Sequence, residues 1–202
     1  MKYLKYFERK KYSVKSSVYL ISLIKRICRK LNLIYIEYIS SGNFGDAFEV
    51  DDNGIRKVLK ITTDREEAKT SKLLRGKDLP GIIKIYDVFR VRSEKLKRFE
   101  NYIIIMDKVS PLNKKTLSSL DRAIDKITDE ESFIIPNAVE DLPESKIKTD
   151  LKRIIDSLKS IGLKEDKVDI HSGNIGINRN GLVLFDLSVV DFDFIKDSII
   201  DI

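Results

Sequence analysis

A chain of 202 residues with 42% hydrophobic content is long and apolar enough to bury one core, or two small lobes that share a cleft, which excludes wholesale disorder. Its single cysteine, Cys28, excludes an intramolecular disulfide framework and a cysteine zinc cluster, and it suits a reducing compartment such as the cytoplasm. The longest mostly apolar stretch near the start, residues 18–24, is too short to span a bilayer, and no secretory cleavage pattern follows it.

The net charge of +6 is concentrated at the beginning of the chain. Residues 1–30 hold ten Lys or Arg against one acid, Glu8, a surplus of nine that leaves −3 for residues 31–202. Such a basic segment could meet nucleic acid or anionic lipid. Because no aromatic base-stacking pattern accompanies the charge, we favour a solvated amphipathic helix packed on the body of the protein. Its packing residues would be Val18, Ile21, Ile24 and Cys28.

The first part of the chain predicts a helix, three strands and a second helix. Apolar residues at intervals of three and four indicate the first helix, over residues 14–31. Strands are predicted at residues 33–39, 47–50 and 56–61. Asn53-Gly54 is a strong hairpin signal, because this pair readily takes positive φ. Thr62, Thr63 and Asp64 are good caps for a helix that reaches about Arg75.

The second part begins with two more strands and then becomes mostly helical. Strands are predicted near residues 82–90 and 102–106, helices near 117–127 and 147–161, and a final pair of strands at 175–177 and 182–185. Gly162 ends the last helix, and Asn180-Gly181 is a turn. Five strands with one helix after the third, followed by a helical part and a hairpin, predict an α+β fold in two lobes.

Two segments of the first part could handle phosphate. Glycines in the turn Ser40-Ser41-Gly42-Asn43-Phe44-Gly45-Asp46-Ala47 would let the backbone approach phosphate oxygens, although a plain hairpin turn has the same pattern. Lys60 lies on the third strand, and Glu67 on the next helix could hold its ammonium. Glu66 is the competing partner, and either acid could simply be solvated.

The strongest pattern lies near the end of the chain. Asp169 is followed five residues later by Asn174, and an apolar strand then ends at Asp186, twelve residues after Asn174. Asp186 should point into a cleft, because it follows four apolar residues. Asp and Asn are also common in ordinary loops and at strand ends. Phosphoryl transfer uses these groups, with carboxylates and amides for magnesium and a carboxylate near the acceptor hydroxyl.

Together these segments resemble the protein-kinase-like superfamily between Ile39 and Leu187, closer to its small atypical, bacterial or phage-type members than to typical eukaryotic kinases. The resemblance implies a two-lobed fold, with a five-stranded N-lobe carrying one helix and a minimal, mostly helical C-lobe. The implied parts are a basic extension (1–32), the N-lobe (33–109) and the C-lobe (110–202).

The resemblance also implies a role for each matching residue. Asp169 would be the catalytic aspartate and Lys60 the lysine on the phosphates, while Asn174 and Asp186 would bind Mg²⁺. The implied ATP-binding residues are Ser40, Gly42, Gly45, Ala47, Lys60, Glu67, Met106 at the back of the adenine pocket, and Asp107 and Val109 of the hinge.

Several positions depart from the family pattern. Lys167-Val168 replaces His-Arg, Asp186-Leu187-Ser188 replaces D-F-G, and only sixteen residues follow Asp186, which leaves little for a substrate half. His171, the only histidine, stands where many kinases have a lysine, and the Asp-x-His pattern is more like small-molecule kinases. His171 could be cationic beside phosphate or could only brace its loop, and we favour bracing.

We therefore expect an ATP- and Mg²⁺-dependent phosphotransferase, with a protein serine/threonine kinase favoured and a protein of unknown identity as its substrate. Three alternatives remain: a nucleotide-binding pseudokinase or interaction module, a small-molecule (aminoglycoside-type) kinase, and the same fold redirected to AMP transfer.

Overall fold

A computed structural model describes residues 14–42, 45–91, 101–128, 136–162, 170–186 and 200–201. Its first elements are helix α1 (Val14–Lys30) and strands β1 (Ile34–Ser41), β2 (Gly45–Asp52) and β3 (Ile55–Thr62). The three strands form an antiparallel meander. Asn53 (φ 53°) and Gly54 (φ 87°) make the tight turn between β2 and β3, as their sequence predicts.

Helix α2 (Arg65–Leu74) follows β3 almost directly, because Asp64 caps it by accepting hydrogen bonds from the Glu66 and Glu67 amides. Strands β4 (Ile85–Val91) and β5 (Asn101–Asp107) complete a five-stranded antiparallel sheet in the order β1-β2-β3-β5-β4. A two-residue strand, β8 (Ile200–Asp201), pairs with β4 in parallel. The predicted order of five strands with one helix after the third is confirmed.

The remaining elements are two helices and a hairpin. Helix α3 (Lys114–Ile127) begins at the cap Asn113, and helix α4 (Lys146–Ser160) begins at the cap Ser145. Two short 3-10 turns lie at Pro136–Asp141 and Ser172–Asn174. The hairpin consists of β6 (Ile175–Asn178) and β7 (Gly181–Leu184). The described residues form four α-helices and an antiparallel sheet, so the fold class is α+β, as the sequence predicts.

The two faces of the five-stranded sheet are covered by different elements. Helix α1 packs on one face, here called the α1 face, through a compact apolar core: Leu23, Ile24, Ile27, Cys28, Leu33, Phe48, Val50, Leu59, Ile61, Val91, Ile103 and Ile105. The opposite face, here called the α2 face, joins α2, α3, α4 and the β6–β7 hairpin in one larger core. Side chains of successive strand residues therefore enter different cores.

The predicted packing of α1 is wrong at one residue. Val18 is 64% exposed, whereas Ile24 and Cys28 are buried and Ile21 is partly buried. The helix instead buries Leu23 and Ile27, because the face that contacts the sheet is turned toward these residues. Within the described residues, no helix is long and apolar enough to cross a membrane.

Candidate functional site

Three charged side chains from distant parts of the chain meet on the α2 face. The Lys60 Nζ donates a hydrogen bond to Glu67 Oε1 of α2 and another, at 3.1 Å, to Asp186 Oδ2 just after β7. Lys60 and Asp186 are 126 residues apart in sequence. The fold therefore gathers one cation and two carboxylates that the sequence singles out separately.

The register of α2 decides which glutamate reaches Lys60. Because Asp64 caps the helix immediately after β3, Glu67 falls in the first turn on the side that faces the sheet, and it is 2% exposed. Glu66 points outward and pairs with Lys69 at 2.9 Å. The predicted contact of Lys60 with Glu67, rather than with Glu66, is confirmed.

Burial and charge act against each other in this cluster. Burial would lower the pKa of the Lys60 ammonium, but the Glu67 and Asp186 carboxylates outweigh it and the pKa is raised. Burial raises the pKa of the Glu67 carboxyl; Lys60 opposes that rise and Asp186 adds to it. Lys60 is thus a cation at neutral pH, and burial makes ionisation of the Glu67 carboxyl less favourable than in water.

The predicted phosphate-binding turn lies beside this cluster. Ala47 pairs directly with Lys60, so the two side chains lie on the same face of the sheet, and Ser40 pairs with Ala47 from β1. A Cβ at Gly45 would lie 2.0 Å from the Ile61 carbonyl oxygen, so only glycine fits there. Gly42 has open space, and its amide donates to the Gly45 carbonyl at 2.7 Å.

The predicted adenine-binding residues lie at the end of β5. Met106 is 4% exposed and pairs with Val58 of β3, two residues from Lys60. Asp107 accepts a hydrogen bond from the Tyr86 hydroxyl at 2.6 Å, a bond that, after burial, helps to raise the pKa of Tyr86 to about 12. Val109 packs closely against Gly176 of β6. This segment therefore connects the sheet to the hairpin that leads to Asp186.

The hairpin links the backbones next to the two predicted metal ligands. The Phe185 amide donates to the Asn174 carbonyl at 2.9 Å, and Asp186 is the residue that follows Phe185. A carboxylate and an amide are hard oxygen ligands of the kind that Mg²⁺ prefers, and one or two of them suffice when phosphates supply the rest. Within the described ranges, no group of three or more His, Cys, Asp or Glu could hold a metal ion without such help.

His171 has a local structural contact. Its Nδ1 accepts a hydrogen bond from the Gly173 amide at 3.0 Å and so caps the short turn that ends at Asn174. This contact agrees with the predicted bracing role. Asp169, residues 43–44 of the glycine-rich turn, and Leu187-Ser188 lie outside the described residues.

Two residues of α4 that sequence analysis does not single out hold this hairpin. Asp150, 4% exposed, accepts a hydrogen bond from the Leu182 amide at 3.1 Å, and Arg153 donates to the Asn180 and Leu182 carbonyls at 2.7 and 3.0 Å. A Cβ at Gly181 would lie 2.6 Å from Asp150, so the turn fits only with glycine. The available signal was an acid on the otherwise apolar side of a predicted helix.

No protein-family model and no curated protein matches the chain.

Proposed function

We propose that the chain is an ATP-dependent phosphotransferase with a two-lobed, protein-kinase-like fold, and that it acts on serine or threonine hydroxyls of a protein. The observation that carries the proposal is the meeting of Lys60 with Glu67 and Asp186. A half-buried lysine held between two carboxylates contributes little net stability, because removing the charges from water offsets their attraction. A triphosphate would supply the negative charge that such a cation is positioned to bind.

The surroundings of Lys60 favour a nucleotide over a simple anion. Apolar side chains of Ala47, Val58 and Met106 lie on the same face of the sheet as Lys60, next to the Gly45 turn. A flat base would fit against such side chains, while the turn lies where phosphates could reach Lys60. Residues 33–109 would then form the nucleotide-binding lobe and residues 110–202 the smaller one, after the basic extension at 1–32.

Magnesium, when bound with ATP, would neutralise charge on the transferred phosphate. Asn174 and Asp186 would hold it, because they are oxygen donors on either side of the β6–β7 hairpin, where the Phe185 amide bonds to the Asn174 carbonyl. Asp169 would orient the acceptor hydroxyl and take its proton. His171 braces the turn before Asn174, which supports a structural role and weakens the case for a small-molecule acceptor. The single buried thiol is in keeping with a cytoplasmic protein.

The test uses ATP labelled separately at the α- and γ-phosphates, with Mg²⁺, a mixture of protein acceptors and a panel of small acceptors. We expect γ-phosphate on serine or threonine of protein acceptors, and a rise in melting temperature with Mg·ATP. Label from the α-phosphate alone would instead indicate AMP transfer. Binding without transfer would indicate a nucleotide-dependent interaction module, and the absence of both would refute the proposal.

Two aspartate variants separate binding from chemistry. Asp186→Asn should weaken Mg²⁺-dependent ATP binding and abolish transfer. Asp169→Asn should leave ATP affinity nearly unchanged and lower kcat by about 10²-fold or more, because its expected contact is with the acceptor. The opposite pattern, with Asp169→Asn losing ATP and Asp186→Asn keeping it, would show that the two roles are wrongly assigned.

A further inference from the structure

The outer side of α1 carries four exposed cations that are close together. Lys25, Arg26, Arg29 and Lys30 occupy the last two turns of the helix, and all four are exposed. In the part of the chain that the structure describes, no carboxylate forms an ion pair with any of them. Their charge is therefore presented to solvent, at the end of a segment with a surplus of nine positive charges.

Two tyrosines of β1 lie on the face of the sheet that α1 covers, and one of them contacts a cation of the helix. Tyr35 and Tyr38 both pack on Phe48, with ring centroids 6.3 and 5.6 Å from it, so they share the α1 face. The Lys25 Nζ lies 5.2 Å from the centre of the Tyr35 ring. Tyr38 is 45% exposed. We call these residues the α1–β1 surface: Lys25, Arg26, Arg29, Lys30, Tyr35 and Tyr38.

Cations together with an exposed aromatic ring fit single-stranded nucleic acid better than an anionic membrane. A helix that inserts into a membrane needs a free apolar face, and α1 buries its own against the sheet: among residues 18–30, Val18 is the one large apolar side chain that is exposed. Single-stranded nucleic acid needs cations for its phosphates and aromatic rings for its bases, and the surface offers both. A duplex, whose bases are stacked internally, could not use Tyr38.

We propose that the α1–β1 surface binds single-stranded nucleic acid, with the four cations on phosphates and Tyr38 stacked on a base. The surface lies on the opposite side of the sheet from Lys60, so this binding does not depend on the proposed phosphotransfer site. A nucleic acid bound there would not contact the Lys60–Glu67–Asp186 cluster.

The test is fluorescence anisotropy of a short fluorescein-labelled oligouridylate, titrated with the full chain at several salt concentrations. Tyr38→Ala should weaken binding roughly fivefold to hundredfold, the equivalent of one base stack, whereas Tyr38→Phe keeps the ring and should bind like the wild type. Arg26→Gln/Arg29→Gln should lower the slope of log affinity against log salt by about 0.7 for each phosphate that the variant no longer neutralises.

A matched control removes the same charge elsewhere. Lys114→Gln/Lys115→Gln changes two exposed lysines at the start of α3 and should leave affinity and salt slope close to the wild type. Vesicles of phosphatidylcholine with phosphatidylglycerol, and a double-stranded oligonucleotide, should bind more weakly than the single strand. Melting curves identify any variant that fails to fold. If Tyr38→Ala does not fold, the test rests on Arg26→Gln/Arg29→Gln, whose changed residues are exposed.

Three outcomes would overturn the proposal. If the wild type and a folded Tyr38→Ala variant bind the oligouridylate with equal affinity, Tyr38 does not stack on a base. Equal losses of affinity in the α1 and α3 charge variants would mean that total charge, and not this surface, attracts the strand. Tighter binding of the vesicles than of the oligouridylate would assign the surface to anionic lipid.

Discussion

The two faces of the central sheet are built from the same strands, yet their central positions differ in chemistry. On the α1 face, the middle of β3 presents Leu59 and Ile61 to an apolar core. On the α2 face, the alternate residues include Lys60, and α2 adds the buried Glu67. Along β3, the period of two thus places the apolar Leu59 and Ile61 on the α1 face and the charged Lys60 on the α2 face. The α1 face also holds an ion pair near the start of the strand, between the buried Lys57 and Asp52 at 2.6 Å.

This difference indicates what each face contributes. Burying an apolar side chain stabilises the fold by about 1.5–3 kcal/mol, so we expect the α1 face to contribute mainly to stability. Burying paired charges contributes little net stability and is often neutral or unfavourable compared with apolar residues of the same size. We therefore attribute the meeting of residues 60, 67 and 186 to the proposed function rather than to stability.

Substitutions at the neighbouring residues Leu59 and Lys60 of β3 should affect different properties, stability and phosphate transfer respectively. Lys60→Met should lower phosphate transfer by about 10²- to 10³-fold, as removal of one positioned electrostatic group typically does. Its loss of stability should stay below about 2 kcal/mol, because Glu67 can take up a proton when its partner is gone. Leu59→Ala should reduce the free energy of unfolding by about 2–5 kcal/mol and leave transfer by the folded fraction unchanged. Urea unfolding and initial rates measure both.

A Lys60→Met variant that transfers phosphate at the wild-type rate would contradict the functional interpretation of the α2 face. If Leu59→Ala instead lowered the rate of the folded fraction as strongly as Lys60→Met, the two faces would not be separable.

The glycines of the predicted phosphate-binding turn should differ in their tolerance of a side chain. Gly45→Ala places a methyl group against the Ile61 carbonyl oxygen, so the turn must shift, at a cost of about 1–3 kcal/mol and with weaker ATP binding. Gly42→Ala meets nothing closer than 3.8 Å and should change the free energy of unfolding by less than about 0.5 kcal/mol. Equal effects of the two variants on stability would show that the tight approach of Gly45 to β3 is not maintained in solution.

Local chemistry explains which parts of this arrangement the sequence predicts. Alternating apolar residues predict β2 and β3, and the Asp64 cap, which fixes the start of α2, makes Glu67 the partner of Lys60. Asp186 was singled out by its place after an apolar strand and by resemblance. Its contact with Lys60 spans 126 residues, a separation at which local patterns carry no information.

The features that the sequence does not predict depend on tertiary packing. Two overlapping apolar stripes run along α1, and only the sheet decides that Leu23 and Ile27 are buried while Val18 is exposed. Asp150 and Arg153 hold a hairpin about 30 residues further on, through bonds to backbone groups that have no residue signature. Tyr35 meets Lys25 of α1 for the same reason, since strand and helix come together only in the folded chain.

The pH dependence of stability should show how unfavourable it is to bury the charged form of Glu67 on the α2 face. Burial raises the pKa of Glu67, so the folded chain binds its proton more tightly than the unfolded chain. Wild-type stability should therefore fall as the pH rises above 4.5, the ordinary value for this carboxyl, until it passes the pKa of the folded state. Glu67→Gln cannot titrate, so its free energy of unfolding should improve relative to the wild type as the pH rises from 4.5 through the pKa of Glu67 in the folded state.

The same variant should lose about tenfold in transfer, because a charge-assisted bond to Lys60 becomes a neutral one. Glu66→Gln is the matched control, since Glu66 is exposed and pairs only with Lys69 among the described residues. It should show neither the pH effect nor the loss of rate. If the free energy of unfolding instead improved with pH in Glu66→Gln and not in Glu67→Gln, then Glu66, and not Glu67, would be the buried carboxylate.

The smallest effect is expected at Cys28, which reports on the α1 face alone. The thiol is 1% exposed, and burial raises its pKa to about 11, so at pH 8 about one thiol in a thousand is ionised. Iodoacetamide should therefore modify the folded chain very slowly and the chain in urea quickly. Because Cys28 is the only cysteine, the mass of the whole chain gives the extent of reaction.

Mg·ATP then distinguishes two routes to exposure of this thiol. If α1 leaves the sheet locally, a ligand on the α2 face stabilises the closed and the opened chain equally, and the labelling rate should stay within about twofold. If only global unfolding exposes Cys28, ATP should slow labelling by the same factor by which it stabilises the fold. We expect the local route, because α1 is held mainly by one layer of apolar contacts to the sheet. Ile24→Ala, which weakens that layer, should speed labelling without changing ATP affinity. A strong slowing by ATP would show instead that the two faces of the sheet open together.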